Sequence, residues 1–422
     1  MRVTLVTMQY GRGYSQGTER YLSTLVRHLR PLGVEPTVLA GDPEGRSPAE
    51  DGFARIPTHG WMTVNGRAGD DTELARAIES SSPDLIHVLN PAHVGIGAIA
   101  WADRRSVPTV VTVMDFWWVC PTHTLLRDDG HICGGARPWR ECASCIAGRH
   151  DRPGVRAIAS LPVLGGAAAS LLVRAASSRR SGDDRPFHAW SHRSDILKAA
   201  LESASAVIAP SRAAESMARR HAPAAHVTRL PYGVEPFWFD GQRRTGQSFS
   251  SPARLGYAGA LAEHKGVDDL LEAVAMLPRD RAVLDLAGPA SEAVRRRVDR
   301  PFSGASVRYL GPLDAEALRS WLGEIDLLVV PSQWPENLPL IMLEAAAVGT
   351  PVIGSNVEGI AEYVPRDALF EPRNPRALAT VLRAWLDIGQ TPSPPPPPTF
   401  ARDMARATLT VYESATRHRG PA

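Results

Sequence analysis

The stretch Leu327-Leu-Val-Val-Pro-Ser-Gln-Trp-Pro-Glu-Asn-Leu-Pro-Leu-Ile-Met-Leu-Glu344 reads as a buried strand, a short loop and a helix. Leu327–Val330 is a continuous apolar run closed by turn residues, which is the pattern of a strand buried on both faces. Asn337 reads as an N-cap and Pro339 as a first-turn residue, so the spacing predicts a helix over about 338–348. Strand, loop and helix in this order point to a parallel sheet with crossover helices. Such sheets take ligands beyond the carboxyl ends of their strands. The free amides and the dipole at the helix start favour phosphate. That leaves Glu344 for ribose hydroxyls and Glu336 for a transferred group, with Asn337, Leu338 and Leu340 as binding candidates around them. Alone, the two glutamates read equally well as a solvent-facing pair.

The same rhythm runs along the chain. In the first half, strand-like runs fall at Val3–Met8, Glu35–Leu39, Leu85–Leu89, Thr109–Val113 and Ala206–Ala209. In the second half they fall at Leu255–Ala258, Ala282–Ala287, Val307–Leu310, Leu327–Val330 and Pro351–Ile353. Between them lie helical patterns such as Glu19–Leu32, whose Leu22, Leu25, Val26 and Leu29 share one face. The fold class is therefore α/β, with two doubly wound halves: 1–230, carrying an excursion over 115–200, and 231–390. Residues 391–422 begin with a stiff proline-rich spacer and end in a helix over Ala401–Thr416, which is expected to dock at a distance.

At 422 residues the chain is too long for one ordinary core. A hydrophobic content of 44% and a charged content of 22% fit a soluble globular protein. A net charge of +2 gives no sign of a nucleic-acid partner. The N-terminus reads as a strand with no secretory pattern, and no run approaches the ~20 apolar residues of a membrane span. The expectation is a cytoplasmic protein, with peripheral contact at the inner face of the membrane as an option.

Of 47 Lys plus Arg, only residues 198 and 265 are lysine, and Lys265 sits in Gly259-Ala-Leu-Ala-Glu-His-Lys-Gly266. This loop, Glu336-x7-Glu344 with the following Ala-Ala-Ala-Val-Gly-Thr-Pro, and Glu358-Gly-Ile-Ala-Glu362 resemble the donor-site blocks of family 4 retaining glycosyltransferases. Pro210-Ser211 and Tyr232-Gly-Val-Glu235 resemble that family's hinge motifs, and Gly17-Thr18-Glu19-Arg20 its N-terminal glycine loop. The blocks occur in the family's order over nearly the whole chain. The resemblance implies a GT-B fold: two Rossmann-like domains facing a central cleft, with the last helix crossing back to the first domain. It implies a UDP- or GDP-linked sugar in the second domain, and a sugar, lipid-linked or small-molecule acceptor on the first. Lys265 would hold the donor diphosphate with Gly259, Gly17 and Thr18, and would stabilise the leaving-group charge as a compact ammonium. Glu336 and Asp115 would act at the reacting centre. Transfer in this family is thought to be front-face, with the leaving phosphate taking the proton, and no Asp-x-Asp metal signature occurs. Hence no cofactor is expected in the chemistry.

Two positions depart from the family. Ala260 stands where a second cation usually contacts phosphate, and Met114-Asp115 replaces His-Asp. These keep a catalytically weak nucleotide-sugar-binding partner in play. A sugar epimerase of the same architecture is the other alternative, disfavoured by the Lys265 and Glu336/Glu344 blocks.

All four cysteines, Cys120, Cys133, Cys142 and Cys145, lie within 26 residues and end in C-x2-C. A closed structural zinc site, four free thiols and disulfides are all open readings. Asp115-Phe-Trp with Cys120-Pro and the later cysteines resembles a subgroup of the same family. His123 and His131 are substitute ligands or ordinary loop histidines. The apolar stretch Leu161–Ala176 with Arg179-Arg180 reads as a helix lining the acceptor side or lying at a membrane surface. Trp61, Trp101, Trp117 and Trp118 are either stacking surfaces or core.

Overall fold

The computed structural model describes residues 1–11, 16–45, 53–58, 64, 72–149, 153–159, 166–168, 170–171, 189–239, 248–298 and 304–417. Trp61, Arg179, Arg180 and most of Leu161–Ala176 lie outside the described residues. The chain forms two compact units, Met1–Pro231 with Arg402–Ala422, and Tyr232–Ala401.

In the first unit, β1 (Arg2–Thr7), β2 (Glu35–Ala40), β3 (Ala54–Arg55), β4 (Leu85–Asn90), β5 (Thr109–Thr112), β6 (Ala206–Ala209) and β7 (Val227–Arg229) form one sheet. Its order is β3-β2-β1-β4-β5-β6-β7, and every pairing is parallel. β4 and β5 are buried along their whole length, as expected for strands covered by helices on both faces. The order reverses direction between β1 and β4, which is where an open α/β sheet leaves a crevice.

The second unit has β8 (Gly233–Val234), β9 (Ala253–Ala258), β10 (Ala282–Ala287), β11 (Ser306–Gly311), β12 (Leu327–Val330), β13 (Val352–Ser355), β14 (Leu369–Phe370) and β15 (Thr399–Phe400). The main sheet runs β11-β10-β9-β12-β13-β14, again parallel throughout. Its direction reverses between β9 and β12. β15 pairs with β8, so the proline spacer ends by returning to the start of its own unit.

The last helix, Ala401–Arg417, then packs into the first unit. Tyr412 is completely buried, and its hydroxyl lies 2.7 Å from His87 Nδ1 on β4. His87 Nε2 lies 2.7 Å from Thr112 Oγ1 on β5. Burial depresses the His87 imidazole to about 3, so it stays neutral at working pH and serves as a polar bridge.

Every strand expected from periodicity is present within one or two residues at its ends. The short strands β3, β7, β8, β14 and β15 were not expected, because two or three residues carry no readable period. The helix expected over 338–348 begins instead at Leu340, with Pro339 at its N-cap position. Asn337, two residues before that N-cap, donates its side-chain amide to the Tyr232 hydroxyl at 3.3 Å.

Candidate functional site

Two loops leave the strands that flank the switch point of the second sheet, and they carry the principal pair. Beyond β9, residues 259–266 end in a single 3-10 turn, Glu263–Lys265, closed by Gly266 in the left-handed conformation (φ 71°). A Cβ at Gly266 would lie 1.8 Å from the carbonyl oxygen of Pro331, the first residue after β12. Only glycine lets the two loops approach this closely. The Gln333 amide donates to the His264 carbonyl at 3.0 Å and ties them further.

Lys265 Nζ thereby meets Glu336 Oε1 at 2.5 Å. The same oxygen accepts from Ser332 Oγ at 2.7 Å and from the Trp334 indole at 2.8 Å. Lys265 Nζ also sits 5.2 Å from the Trp334 ring centre, and His264 packs on that ring at 4.1 Å. The Glu336 backbone is fixed as well: its N–H donates to Glu358 O at 3.0 Å, and Gly359 (φ 86°) lies against its carbonyl. Burial pushes the Glu336 carboxyl upward, but Lys265, Trp334 and Ser332 outweigh it and hold it below the ordinary value, so it is ionised. Burial, then the Glu336 charge, raises the Tyr257 phenol, which donates to Ala260 O at 2.7 Å.

The helix Leu340–Val348 starts just downstream with no side-chain cap on its N-terminus, and Gly349 ends it. It is apolar and buried on nearly all sides, so packing rather than amphipathicity holds it. Glu344 lies inside it at 2% exposure, which removes the reading of a solvent-facing glutamate. Leu338 is buried and Leu340 partly so. Gly259 is exposed at φ 152° beside Ala260. An ammonium, an uncapped helix start and buried carboxylates at the carboxyl end of a parallel sheet are suited to an anionic, hydroxyl-bearing ligand.

In the first unit, Gly17 and Thr18 begin the helix Gly17–Leu29 just past β1. Glu19 behind them is 4% exposed and accepts from Gln9 Nε2 at 2.9 Å. Asp115, past β5, accepts from the Trp117 N–H at 2.8 Å and from Asn90 Nδ2 at 3.0 Å. Trp101, Trp117 and Trp118 are core. Met114 is core too, at 7% exposure. Sequence reading passed over Ser332, Trp334 and Asn90, because a serine or tryptophan in a loop carries no signal until its partner is known.

The four cysteines are free and line one shared cavity with Val119, Pro121 and Ile146. Burial pushes the Cys142 thiol up to about 12 and raises Cys145. Among the described residues no group of three or more His, Cys, Asp or Glu is arranged to hold a metal ion. As placed, the thiols converge but do not fit a closed zinc site.

The Lys265–Glu336 pair carries a stability consequence. Removing one partner strands the other in a partly buried position, at a cost of about 1–3 kcal/mol. In a double-mutant cycle on thermal unfolding at pH 7, Lys265→Met and Glu336→Gln are expected to couple by that amount. Because the folded carboxyl is depressed, this stabilisation is present above the ordinary value of 4.5 and is lost as pH falls through the folded value. Additive effects at pH 7 would contradict the pairing.

Residues 15–130 match the family model described as Glycosyltransferase Family 4, and residues 240–393 match the model described as Glycosyl transferases group 1. Glycogen synthase of Mycobacterium tuberculosis is 36% identical over 153 residues, 33% of this chain and 35% of that one. A D-inositol 3-phosphate glycosyltransferase of Streptomyces scabiei is 33% identical over 154 residues, 32% and 34% of the two chains. The chain thus spans about a third of the length of these curated relatives. The structure of Anabaena Alr3699/HepE in complex with UDP superposes with a TM-score of 0.58 over 99% of this chain and 98% of that one, at 14% identity. Both halves match in the order that the sheets and switch-point loops require, and the chain belongs to glycosyltransferase family 4, with the GT-B fold.

Proposed function

We propose that the protein is a retaining glycosyltransferase that moves a sugar from a nucleoside-diphosphate donor to an acceptor hydroxyl. The observation that carries this reading is Lys265 paired with Glu336 beside an uncapped helix start, at the switch point of the second sheet. The donor diphosphate displaces Glu336 as the partner of Lys265 and takes the amides at Leu340. Glu344 receives the ribose hydroxyls, and Glu336, freed from the ammonium, turns to the transferred sugar. The bond from C1 to the diphosphate oxygen breaks while the bond from C1 to the acceptor oxygen forms on the same face. The hydroxyl proton passes to the leaving phosphate.

Only one cation is assigned to that phosphate. Ala260 is exposed and offers none, so Lys265 carries the charge developing on the leaving group. One protein of the same fold, Anabaena Alr3699/HepE, was solved with UDP and with UDP-glucose, which supports a uridine donor as the first to try. The acceptor, a cell-envelope glycan or lipid or a small natural product, is assigned to the first unit. No helix among the described residues is long and apolar enough to cross a membrane, and the reading places the reaction in the cytoplasm.

The test is incubation with UDP-, GDP- and dTDP-sugars, with and without extract-derived acceptors. Slow hydrolysis of one donor, and retention of the anomeric configuration in the product, are expected. Lys265→Ala and Glu344→Ala should each cut turnover by about 100-fold or more. Interconversion of sugar epimers would select an epimerase. Binding of a donor without turnover would select a nucleotide-sugar-binding partner, the reading that Ala260 and Met114 keep open.

The cysteine cavity carries a separate proposal, that zinc draws the four thiolates together and pins the loop after β5. Metal analysis of chelator-free protein should then give stoichiometric zinc; reactive thiols without metal would sink it.

A further inference from the structure

The three donors that meet Glu336 all converge on one of its two oxygens. Lys265 Nζ, Ser332 Oγ and the Trp334 indole N–H each bond Oε1. Among the described residues Oε2 receives no hydrogen bond. A carboxylate oxygen offers about two lone-pair sites, so three donors exceed what Oε1 can serve in full. The donors also differ in origin. Ser332 and Trp334 lie four and two residues before Glu336 in its own loop. Lys265 reaches over from the separate loop that follows β9.

The stretch carrying the two local donors is fastened on its own account. Ser332 is 3% exposed, and its carbonyl accepts from Ser355 Oγ on β13 at 2.6 Å. Gln333, between the two donors, gives Nε2 to Asp269 Oδ2 at 2.8 Å, on the helix Val267–Ala275. Neither tie involves the ammonium. A ligand anion that takes Lys265 therefore removes the one donor that comes from elsewhere. It leaves Oε1 with two donors, which is its ordinary complement. Both remaining bonds run to a charged acceptor, the stronger kind of hydrogen bond.

We propose that Trp334 and Ser332 form a fixed bracket on Glu336 Oε1 that outlasts the transfer of Lys265 to the donor diphosphate. Oε2 is then the oxygen that Glu336 turns to the transferred sugar. Trp334 is a positioning residue: it touches no reacting atom and acts through the carboxylate it holds. Its ring also stands beside Lys265, so the N–H and the ring face different charges. This proposal rests on the transferase reading.

The variant Trp334→Phe separates the two contacts, because it keeps a ring beside Lys265 and deletes only the N–H. In the full chain, calorimetric affinity for UDP should stay at the parental value. Turnover of a working donor should fall in kcat by about 10–100-fold, the value of a hydrogen bond to a charged group. Ser332→Ala, a smaller change in the same loop, should show the same split between nucleotide affinity and kcat. It decides the matter if Trp334→Phe proves unfolded by thermal melting. Parental kcat in a folded Trp334→Phe overturns the proposal. So does a loss of nucleotide affinity parallel to the loss of kcat in both variants. Either result leaves the transferase reading intact, whereas a parent protein that turns over no donor overturns both.

Discussion

The contact between Lys265 and Glu336 is the constraint around which the second unit is organised. Each residue sits on a loop leaving one of the two strands that flank the switch point, so the ion pair ties the two loops together there. The local backbone is shaped for it. Gly266 lets one loop touch the carbonyl of Pro331, and Gly359 lets another chain segment reach the carbonyl of Glu336. A side chain at either position would push the loops apart. Three donors on one carboxylate oxygen, from Lys265, Ser332 and Trp334, keep Glu336 ionised in a site that burial alone would neutralise. The cation and anion hold each other. In the proposed reaction a diphosphate would replace the carboxylate as the partner of Lys265, with the charge already in place.

The first unit applies the same economy with neutral groups. The bridge from Tyr412 through His87 to Thr112 joins the last helix to the centre of the first sheet. Every ring atom able to form a hydrogen bond is used, so the buried imidazole need not be charged. At the carboxyl end of the same strands, Asn90 and His123 both bond Asp115 Oδ2 and form a second polar chain.

The long elements were legible in the sequence because their patterns are physical demands. Leu327–Val330, Ala282–Ala287 and Leu85–Asn90 are buried on both faces, and a parallel sheet tolerates little else there. Lys265, Glu336 and Glu344 were singled out by the resemblance of their blocks to the family's donor site, and the fold brings the first two into direct contact. Tertiary partners decided the rest. Asn337 fits an N-cap by composition, yet it finds the Tyr232 hydroxyl, a choice no local rule predicts. His123 read as a substitute ligand or an ordinary loop histidine, because its contact with Asp115 is set by the folded loop. The cysteine spacing left zinc, free thiols and disulfides open; the four thiols are unbridged and share one cavity.

The central claim is that Lys265, paired with Glu336 in this structure, meets a donor diphosphate. The most direct measurement is a calorimetric titration of the parent and of Lys265→Met with UDP and GDP at fixed ionic strength. The account predicts that the preferred nucleotide binds the variant about 10–100-fold more weakly, the value of a charge-assisted phosphate contact. Equal affinity for parent and variant, with both folded, would contradict it.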